Sequence, residues 1–413
     1  MDHNKTNTGA AVWDRNIRLD YIFCFLRNFG PTQAIWVLFM VYRGMSLTEV
    51  GIAEGVFHVT SLLCEVPSGA AADLLGRKKV MLGGRIFSVL ASLTMLSAHS
   101  LPMFCAGFVL SALSYNLLSG TEEALVYDSA KAAGREAGYL TIAARVNIII
   151  EIAQGAGTFA GGVLSDHSFT LCYLADIAIV AVSLAPLLLM REPPVEAGSE
   201  KAGGTPARSK EEQSLVRHFR TVAAILAENP AVVRILLYYP VITAFEAVLF
   251  FYGQEYFADF GLSRTWISLI MAVGSALSCA GAMLVTRILA RWKEKTKYII
   301  SVVMGGSILL CALPDLRTAV VFFLLANVVN ALIYPIESAS LNALIPSAQR
   351  ATIISVDSMC YSLAMILFFP LCGAAAARFG LNATFAGLGI SELVLMILLT
   401  AGKKKQPPEA AEE

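Results

Sequence analysis

Between Ile86 and Leu118 the chain carries no Asp, Glu, Lys or Arg, and between Leu171 and Met190 it carries one, Asp176. Runs of that kind leave few folds open. A bilayer-spanning helix needs about 20 mainly apolar residues. In lipid the backbone must satisfy its own hydrogen bonds, so these runs predict helices. The whole chain follows the same pattern: 56% of its 413 residues are hydrophobic and 15% charged, against about 25% charged in ordinary soluble proteins. Apolar blocks set off by charge clusters predict an all-α membrane protein with twelve transmembrane helices. The spans fall near 17–42, 47–72, 79–98, 101–129, 138–164, 170–190, 230–257, 264–289, 297–313, 317–344, 351–377 and 382–401.

Lys and Arg orient the spans, because cytoplasmic loops hold an excess of both. One face collects 23 of the 31, among them Lys5, Arg15, Arg77, Lys78, Lys79, Lys131, Arg135 and the Lys403–Lys405 tail; the opposite face has Arg43, Arg264, Arg317 and Arg378. The split predicts a multi-pass plasma- or inner-membrane protein with both termini in the cytoplasm. The first sixteen residues are polar and no small-residue cleavage site follows a short apolar core. The first span is therefore expected to be its own anchor rather than a cleaved signal.

The longest connection divides the chain into a six-helix bundle at 1–190, a cytoplasmic linker at 191–229, a second six-helix bundle at 230–402 and a cytoplasmic tail at 403–413. The linker starts Arg-Glu-Pro-Pro and runs through Gly, Ser and Pro, as a flexible connection would. Leu215, Phe219, Val222 and Leu226 then recur at helical spacing beside Arg217, His218 and Arg220, the pattern of an interfacial amphipathic helix. The halves also repeat. Gly44-Met45-Ser46-Leu47-Thr48 precedes the second span and Gly261-Leu262-Ser263-Arg264-Thr265 the eighth; Glu122 stands 13 residues before Arg135, as Glu337 does before Arg350. Six spans, a long loop and six more predict two pseudo-symmetric bundles about an axis normal to the membrane.

Composition argues against other classes. A net charge of zero argues against a nucleic-acid partner. The eight cysteines all lie in apolar blocks with no CxxC pair, which fits small buried hydrophobes better than a metal or disulfide framework. No Walker loop, no serine elbow and only scattered histidines give little support to an enzyme, and neither a metal nor a cofactor is expected.

Spans two and three meet at Glu65-Val-Pro-Ser-Gly69-Ala-Ala-Ala-Asp73-Leu-Leu-Gly76-Arg77-Lys78-Lys79. This stretch resembles the signature loop of the major facilitator superfamily: Gly, three residues, Asp, two residues, Gly, then a basic pair. Leu74 stands where a basic residue is usual. The physics is readable beside the resemblance: Gly69 permits close helix approach, Gly76 a tight turn, and Asp73 is an anion able to face a helix N-terminus or an arginine. The resemblance implies that Asp73 meets the start of span eleven near Arg350–Thr352, and that Arg77 reaches Asp128 at the end of span four. Gly69, Asp73, Gly76, Arg77, Lys78 and Asp128 would then latch the cytoplasmic side. Ser119-Gly-Thr-Glu-Glu-Ala-Leu-Val-Tyr-Asp-Ser129 resembles a stretch common in a bacterial drug-efflux-like, proton-antiporting branch, although the family's usual fourth-helix arginine is absent. Gly157-Thr-Phe-Ala-Gly161-Gly162 is similar to the antiporter motif, with Thr158 for its proline, and Gln349-Arg-Ala-Thr-Ile-Ile-Ser355 to the junction before helix eleven.

Charges inside the membrane are expensive and should face a partner or a wet cavity. The deepest are Arg27, Glu122, Glu123, Arg145, Glu151, Glu246, Glu337, Asp357 and Glu392. Arg145 and the Glu122–Glu123 pair lie at matching depth, which leaves two readings open for one glutamate, a span-four to span-five salt bridge or direct substrate or proton chemistry, with Glu122 the favoured partner of Arg145. Asn116, Glu123 and Tyr127 share one helical face, the expected cavity wall. Glu151 and Glu246 have no basic neighbour in sequence, and an unpaired desolvated carboxyl suits a proton carrier. Arg27 could hold a substrate carboxylate or pair with Asp20. The acidic surplus favours cations or neutral amphiphiles over anions. Glu392, on a span peripheral in the family, is left out of the site.

The expectation is a monomeric secondary transporter in the lipid bilayer that exports small amphipathic or cationic molecules in exchange for protons by alternating access. A proton-coupled importer of a small nutrient and a transporter-like sensor that moves nothing are the alternatives. The cargo is not readable, since one fold carries many unrelated solutes.

Overall fold

The computed structural model describes residues 3–193, 229–283, 285–292, 295–345 and 350–401. These residues form helices and no strand. The first half holds α1 (His3–Asn28), α2 (Trp36–Tyr42), α3 (Leu47–Leu75), α4 (Arg77–Ser97), α5 (Leu101–Leu118), α6 (Thr121–Ala132), α7 (Tyr139–His167), α8 (Phe169–Val182) and α9 (Leu184–Leu189). The second half holds α10 (Pro230–Asp259), α11 (Arg264–Ala282), α12 (Val285–Trp292), α13 (Thr296–Cys311), α14 (Leu316–Leu344), α15 (Arg350–Phe379) and α16 (Leu381–Ala401). Ten helices among the described residues are long and apolar enough to cross a membrane. The two further passages that twelve requires are the broken first span and the shorter apolar helix Tyr298–Cys311. The amphipathic helix expected around Leu215–Leu226 and the tail past Ala401 lie outside the described residues.

Helix starts follow local chemistry. Ser46 and Glu49 close a capping box on α3: the Glu49 N–H donates to Ser46 Oγ at 3.3 Å and the Ser46 N–H to Glu49 Oε2 at 2.8 Å. Asn229 caps α10 by accepting from Val232 N–H, with Pro230 in the first turn, where its missing N–H costs nothing. Asp315 accepts from Thr318 N–H at the start of α14. The sequence repeat is a repeat of structure too: Gly44 and Gly261 both take positive φ, and Ser46 and Ser263 both cap the helix that follows.

In the first half three spans expected to be continuous are interrupted. The first unwinds between Asn28 and Trp36, where Pro31 lacks an N–H to donate. The fourth breaks at Ser119–Gly120, where Gly120 adopts φ +71°, and the sixth breaks at Ser183. Irregular backbone at membrane depth persists only where protein satisfies it or a cavity wets it. At the first break, Gln254 of α10 accepts from Val37 N–H at 3.2 Å and donates to the Gln33 carbonyl at 3.4 Å, and Cys172 Sγ donates to the Pro31 carbonyl.

One end of the molecule gathers the start of the first span, the Gly76 turn and Arg191–Glu192; it is called here the terminal face. The far face gathers the turns at Gly44, Gly261 and Gly380. Helices of each half pack mainly among themselves. Between the halves α3 lies along α15, α7 along α11, and α2 touches α10.

Candidate functional site

On the terminal face the Gly76 turn is stapled into its own half. Gly76 takes φ +91°, which a residue with a Cβ adopts at a cost. The next N–H groups, of Arg77 and Lys78, donate to the two Glu192 oxygens at 2.7 and 2.9 Å. A carboxylate on the first turn of α4 neutralises its orphan donors and its dipole. Lys78 Nζ donates to the carbonyls of Leu188 and Met190 at 2.8 and 2.7 Å, holding the end of α9. The Arg77 guanidinium pairs with Asp128 and donates to the Ala124 carbonyl at 2.6 Å, tying α4 to α6. Glu192→Ala is expected to cost about 1 kcal/mol, the usual worth of a capping side chain, read as a lower thermal midpoint in detergent. Asp73 is exposed, and a Cβ at Gly69 would meet nothing within 4 Å. The close helix approach expected at Gly69 is therefore absent here, because no neighbouring helix reaches it. The Arg350–Thr352 side chains that Asp73 was expected to meet lie outside the described residues.

The far face is sealed. Asp166 at the end of α7 accepts from the N–H of Arg264 and of Thr265 at 2.9 and 3.0 Å and from the Thr265 hydroxyl at 2.5 Å. The Arg264 guanidinium donates to the Ser165 carbonyl and lies 4.1 Å from the Phe169 ring centroid. Glycines permit the closeness. A Cβ at Gly162 would lie 1.8 Å from Ser268 Oγ, one at Gly373 2.2 Å from the Leu47 carbonyl oxygen, and one at Gly51 2.7 Å from that of Phe369. Tyr252 donates to the Leu47 carbonyl at 3.0 Å. Beneath the seal Trp36 packs edge-on against Phe108 and lies within 6.4 Å of the Phe251 and Phe369 rings.

At mid-depth Arg27 pairs with Glu122. This corrects the expected Glu122–Arg145 bridge: Arg145 is exposed and makes no ion pair among the described residues. The break at Gly120 puts Glu122 in the first turn of α6, from which it faces α1 rather than α7. Asp20 is fully buried beside this pair, and neither of its oxygens has a hydrogen-bond partner. The expected Asn116–Glu123–Tyr127 wall is also corrected. Asn116 is buried, exchanging two hydrogen bonds with Ser61 of α3 at 2.9 and 2.8 Å. The same break takes it out of register with α6, where Glu123 hydrogen-bonds Tyr139 and Tyr127 donates to Glu136 at 2.7 Å. Glu151 is exposed on α7.

In the second half the carboxyls of Glu337 (α14) and Asp357 (α15) hydrogen-bond each other. Glu337 is 6% exposed; one oxygen of each carboxyl has no partner, and both residues line a small cleft with Tyr334 and Ser338. Glu246 is buried and accepts from Asn330 Nδ2 at 2.9 Å. Where α3 meets α15, Glu54 and His58 lie 3.5 Å apart and the His58 ring stands edge-on to Tyr361. Glu392 is buried in the second half with both oxygens unpartnered.

Sequence reasoning left four polar groups out of the site: Asp20, named only as a possible partner of Arg27, Asp176, noted only as a lone charge, and Glu54 and Arg85. Arg85 and Asp176 line a cleft of about 420 Å³ inside the first half. Its signal was present, since each is the sole charge in a long apolar stretch, but neither has a partner at a helical offset.

The family model described as the Major Facilitator Superfamily matches residues 21–314 and 241–413. An uncharacterized MFS-type transporter, YxaM of Bacillus subtilis (strain 168), is 23% identical over 389 residues, covering 92% of this chain and 94% of that protein. Among solved structures, the nucleoside transporter NupG superimposes with a TM-score of 0.75 at 14% identity, over 96% of this chain and 100% of that one. A bacterial homolog of the human lysosomal transporter Spinster, inward-facing and unoccupied, gives 0.69 at 14% identity over 95% of both chains. A D-xylose-proton symporter gives 0.66 at 13% identity over 94% of this chain and 96% of that one. At these identities the likeness is one of fold.

Proposed function

Because the chain belongs to the Major Facilitator Superfamily, we propose that it is a proton-coupled secondary transporter that exports small amphipathic compounds by alternating access between residues 1–190 and 230–402. The observation that carries proton coupling is the Glu337–Asp357 pair. A hydrogen bond between two carboxyls needs a proton between them. Among the described residues no cation pairs with either carboxyl, and a pair that holds one proton can load and release it as its surroundings change. With the terminal face and both termini in the cytoplasm, as the distribution of Lys and Arg supports, the sealed far face is external. The state described is then inward-open, and the Arg77–Asp128 latch stands ready for Asp73 to meet span eleven when the inner side closes.

Export is supported by the span-four likeness and by the glycines of α7, which let it press against the first span and α11. The preference for cations is weakened, because several of the acids that suggested it are engaged: Glu122 with Arg27, Glu337 with Asp357, Glu246 with Asn330. Import is the second reading, since the same seal and carboxyl pair serve either direction and a proton symporter shares the fold.

The test is flux in proteoliposomes. A pH gradient is expected to drive substrate movement in the wild-type protein, and Glu337→Gln or Asp357→Asn is expected to reduce that flux to background while leaving substrate–substrate exchange. If both variants respond to the gradient as wild type does, the pair does not carry the proton. Accumulation in inverted rather than right-side-out vesicles supports export; the reverse supports import.

A further inference from the structure

The cleft inside the first half is lined by that half alone. All its lining residues fall between Arg27 and Val180, on the interrupted first and fourth spans and on α3, α4, α7 and α8. A second cleft of about 290 Å³ shares Gln33, Phe57, Ala91, Ser92 and Ser111 with it and reaches Trp36 and Tyr173. Discontinuous helices near mid-membrane are where transporters expose backbone and polar groups to a solute. Here the breaks in spans one and four both border the same space: Gly30 and Gln33 come from the first, Ser114 and Leu118 from the turn before the second.

The lining has a definite chemistry. Arg85 is 4% exposed; its Nε donates to Ser183 Oγ at 2.8 Å and its Nη1 to Ser88 Oγ at 3.3 Å, while Nη2 has no partner. Asp176 is the nearest anion, but it stands beyond ion-pair distance and is already engaged: Ser92 donates to it at 2.6 Å and Thr32 also bonds it. Arg27 is taken by Glu122. Arg85 therefore lines the cleft as a guanidinium without an ion-pair partner, its unused Nη2 buried behind the cleft surface, and an unpaired buried charge is costly until an anion meets it. Tyr173, fully buried beside the second cleft, has a hydroxyl without a partner. Ser111, Ser114, Gln33 and Gln154 supply further donors and acceptors, and Phe57 and Tyr115 supply flat apolar walls.

We propose that this cleft is a binding site for a small amphipathic carboxylate, with Arg85 holding the carboxylate, the serines and glutamines its hydroxyl or amide groups, and Phe57 and Tyr115 its apolar body. It is the cargo site of the transport reading above and rests on that reading for its role, though not for its binding. A planar carboxylate suits the guanidinium fork, which can offer Nη1 and Nη2 together. The Ser88 hydroxyl now on Nη1 is a weaker partner that the carboxylate replaces, and Nη2 turns from an empty site to meet its second oxygen.

The test is equilibrium binding to the purified full-length chain with three matched probes: 4-hydroxybenzoate, its neutral amide and the corresponding benzylamine. The carboxylate is expected to bind at least about tenfold more tightly than the amide, the benzylamine not at all, and Arg85→Gln to bring carboxylate and amide within about twofold. Ser111→Leu, which fills the cleft without touching Arg85, is expected to remove binding of every probe. Should Arg85→Gln not fold, Ser111→Leu decides alone. The assignment is overturned if carboxylate and amide bind equally, if Arg85→Gln keeps the preference, if Ser111→Leu binds as wild type does, or if 4-hydroxybenzoate fails to bind at millimolar concentration. Carboxylate-selective binding without pH-driven flux of 4-hydroxybenzoate overturns the transport reading and leaves the site standing; flux indifferent to Arg85 does the opposite.

Discussion

Gly162→Leu is expected to abolish transport while leaving a folded protein held open on the far face. A Cβ at residue 162 would lie 1.8 Å from Ser268 Oγ, 2.5 Å from Ser268 Cβ and 2.7 Å from the Arg264 carbonyl oxygen. The last of these is helix backbone and cannot turn aside, so α7 and α11 must separate. The strain exists only in the sealed state, where the two helices meet. Overpacking of about 1–3 kcal/mol confined to one of two states shifts their ratio by roughly 5- to 150-fold, and a leucine at a contact this close belongs at the upper end. The measurement is labelling of Leu262→Cys, which borders the seal, by an impermeant maleimide in intact cells, in a background stripped of reactive native cysteines. Labelling should rise as flux disappears. Wild-type flux with unchanged labelling would show that the seal does not need Gly162.

Arg27→Met is expected to destabilise the protein by about 1–3 kcal/mol, the cost of leaving a charged hydrogen-bonding partner unsatisfied, below that of a fully buried pair because Arg27 is part-exposed. It strands Glu122 and, beside it, Asp20, which has no hydrogen-bond partner at all. Adding Glu122→Gln should restore much of the loss, because the uncompensated charge goes with it. Thermal unfolding of the two single variants and the double closes the cycle. Equal losses in Arg27→Met and in the double variant would mean that the pairing contributes nothing and that the arginine matters only through its packing.

The fold was legible in the sequence because membrane helices obey a length and polarity rule that each segment carries by itself. Gly44-Met-Ser-Leu-Thr and Gly261-Leu-Ser-Arg-Thr announced matching turns for the same reason: a left-handed glycine followed by a capping serine is local chemistry. The Arg77–Asp128 pairing came from a resemblance, and the geometry sets those two side chains together. The Arg145–Glu122 pairing came from equal depth alone. Depth says nothing of azimuth, and the break at Gly120 turns α6 so that Glu122 meets Arg27. Asn116 was misplaced by the same break, since helical periodicity cannot be carried across a left-handed residue. That Arg85 and Asp176 line one cleft was not legible, because their relation spans 91 positions and exists only after α4 has packed on α8.

Gln254 belongs to α10, yet its side chain completes the backbone of the unwound stretch in the opposite half. In the proposed cycle, parting of the far face would draw α10 away and take that partner from Val37 and Gln33. Gln33 also borders the polar cleft, so the cleft cannot keep one shape through the cycle. Thermodynamic reciprocity then applies: whatever the open gate does to affinity in the cleft, occupancy of the cleft must do in equal measure to the gate. If the cleft is the cargo site proposed above, a single amide would make cargo and closure linked variables, and Gln254→Leu is the substitution that would uncouple them.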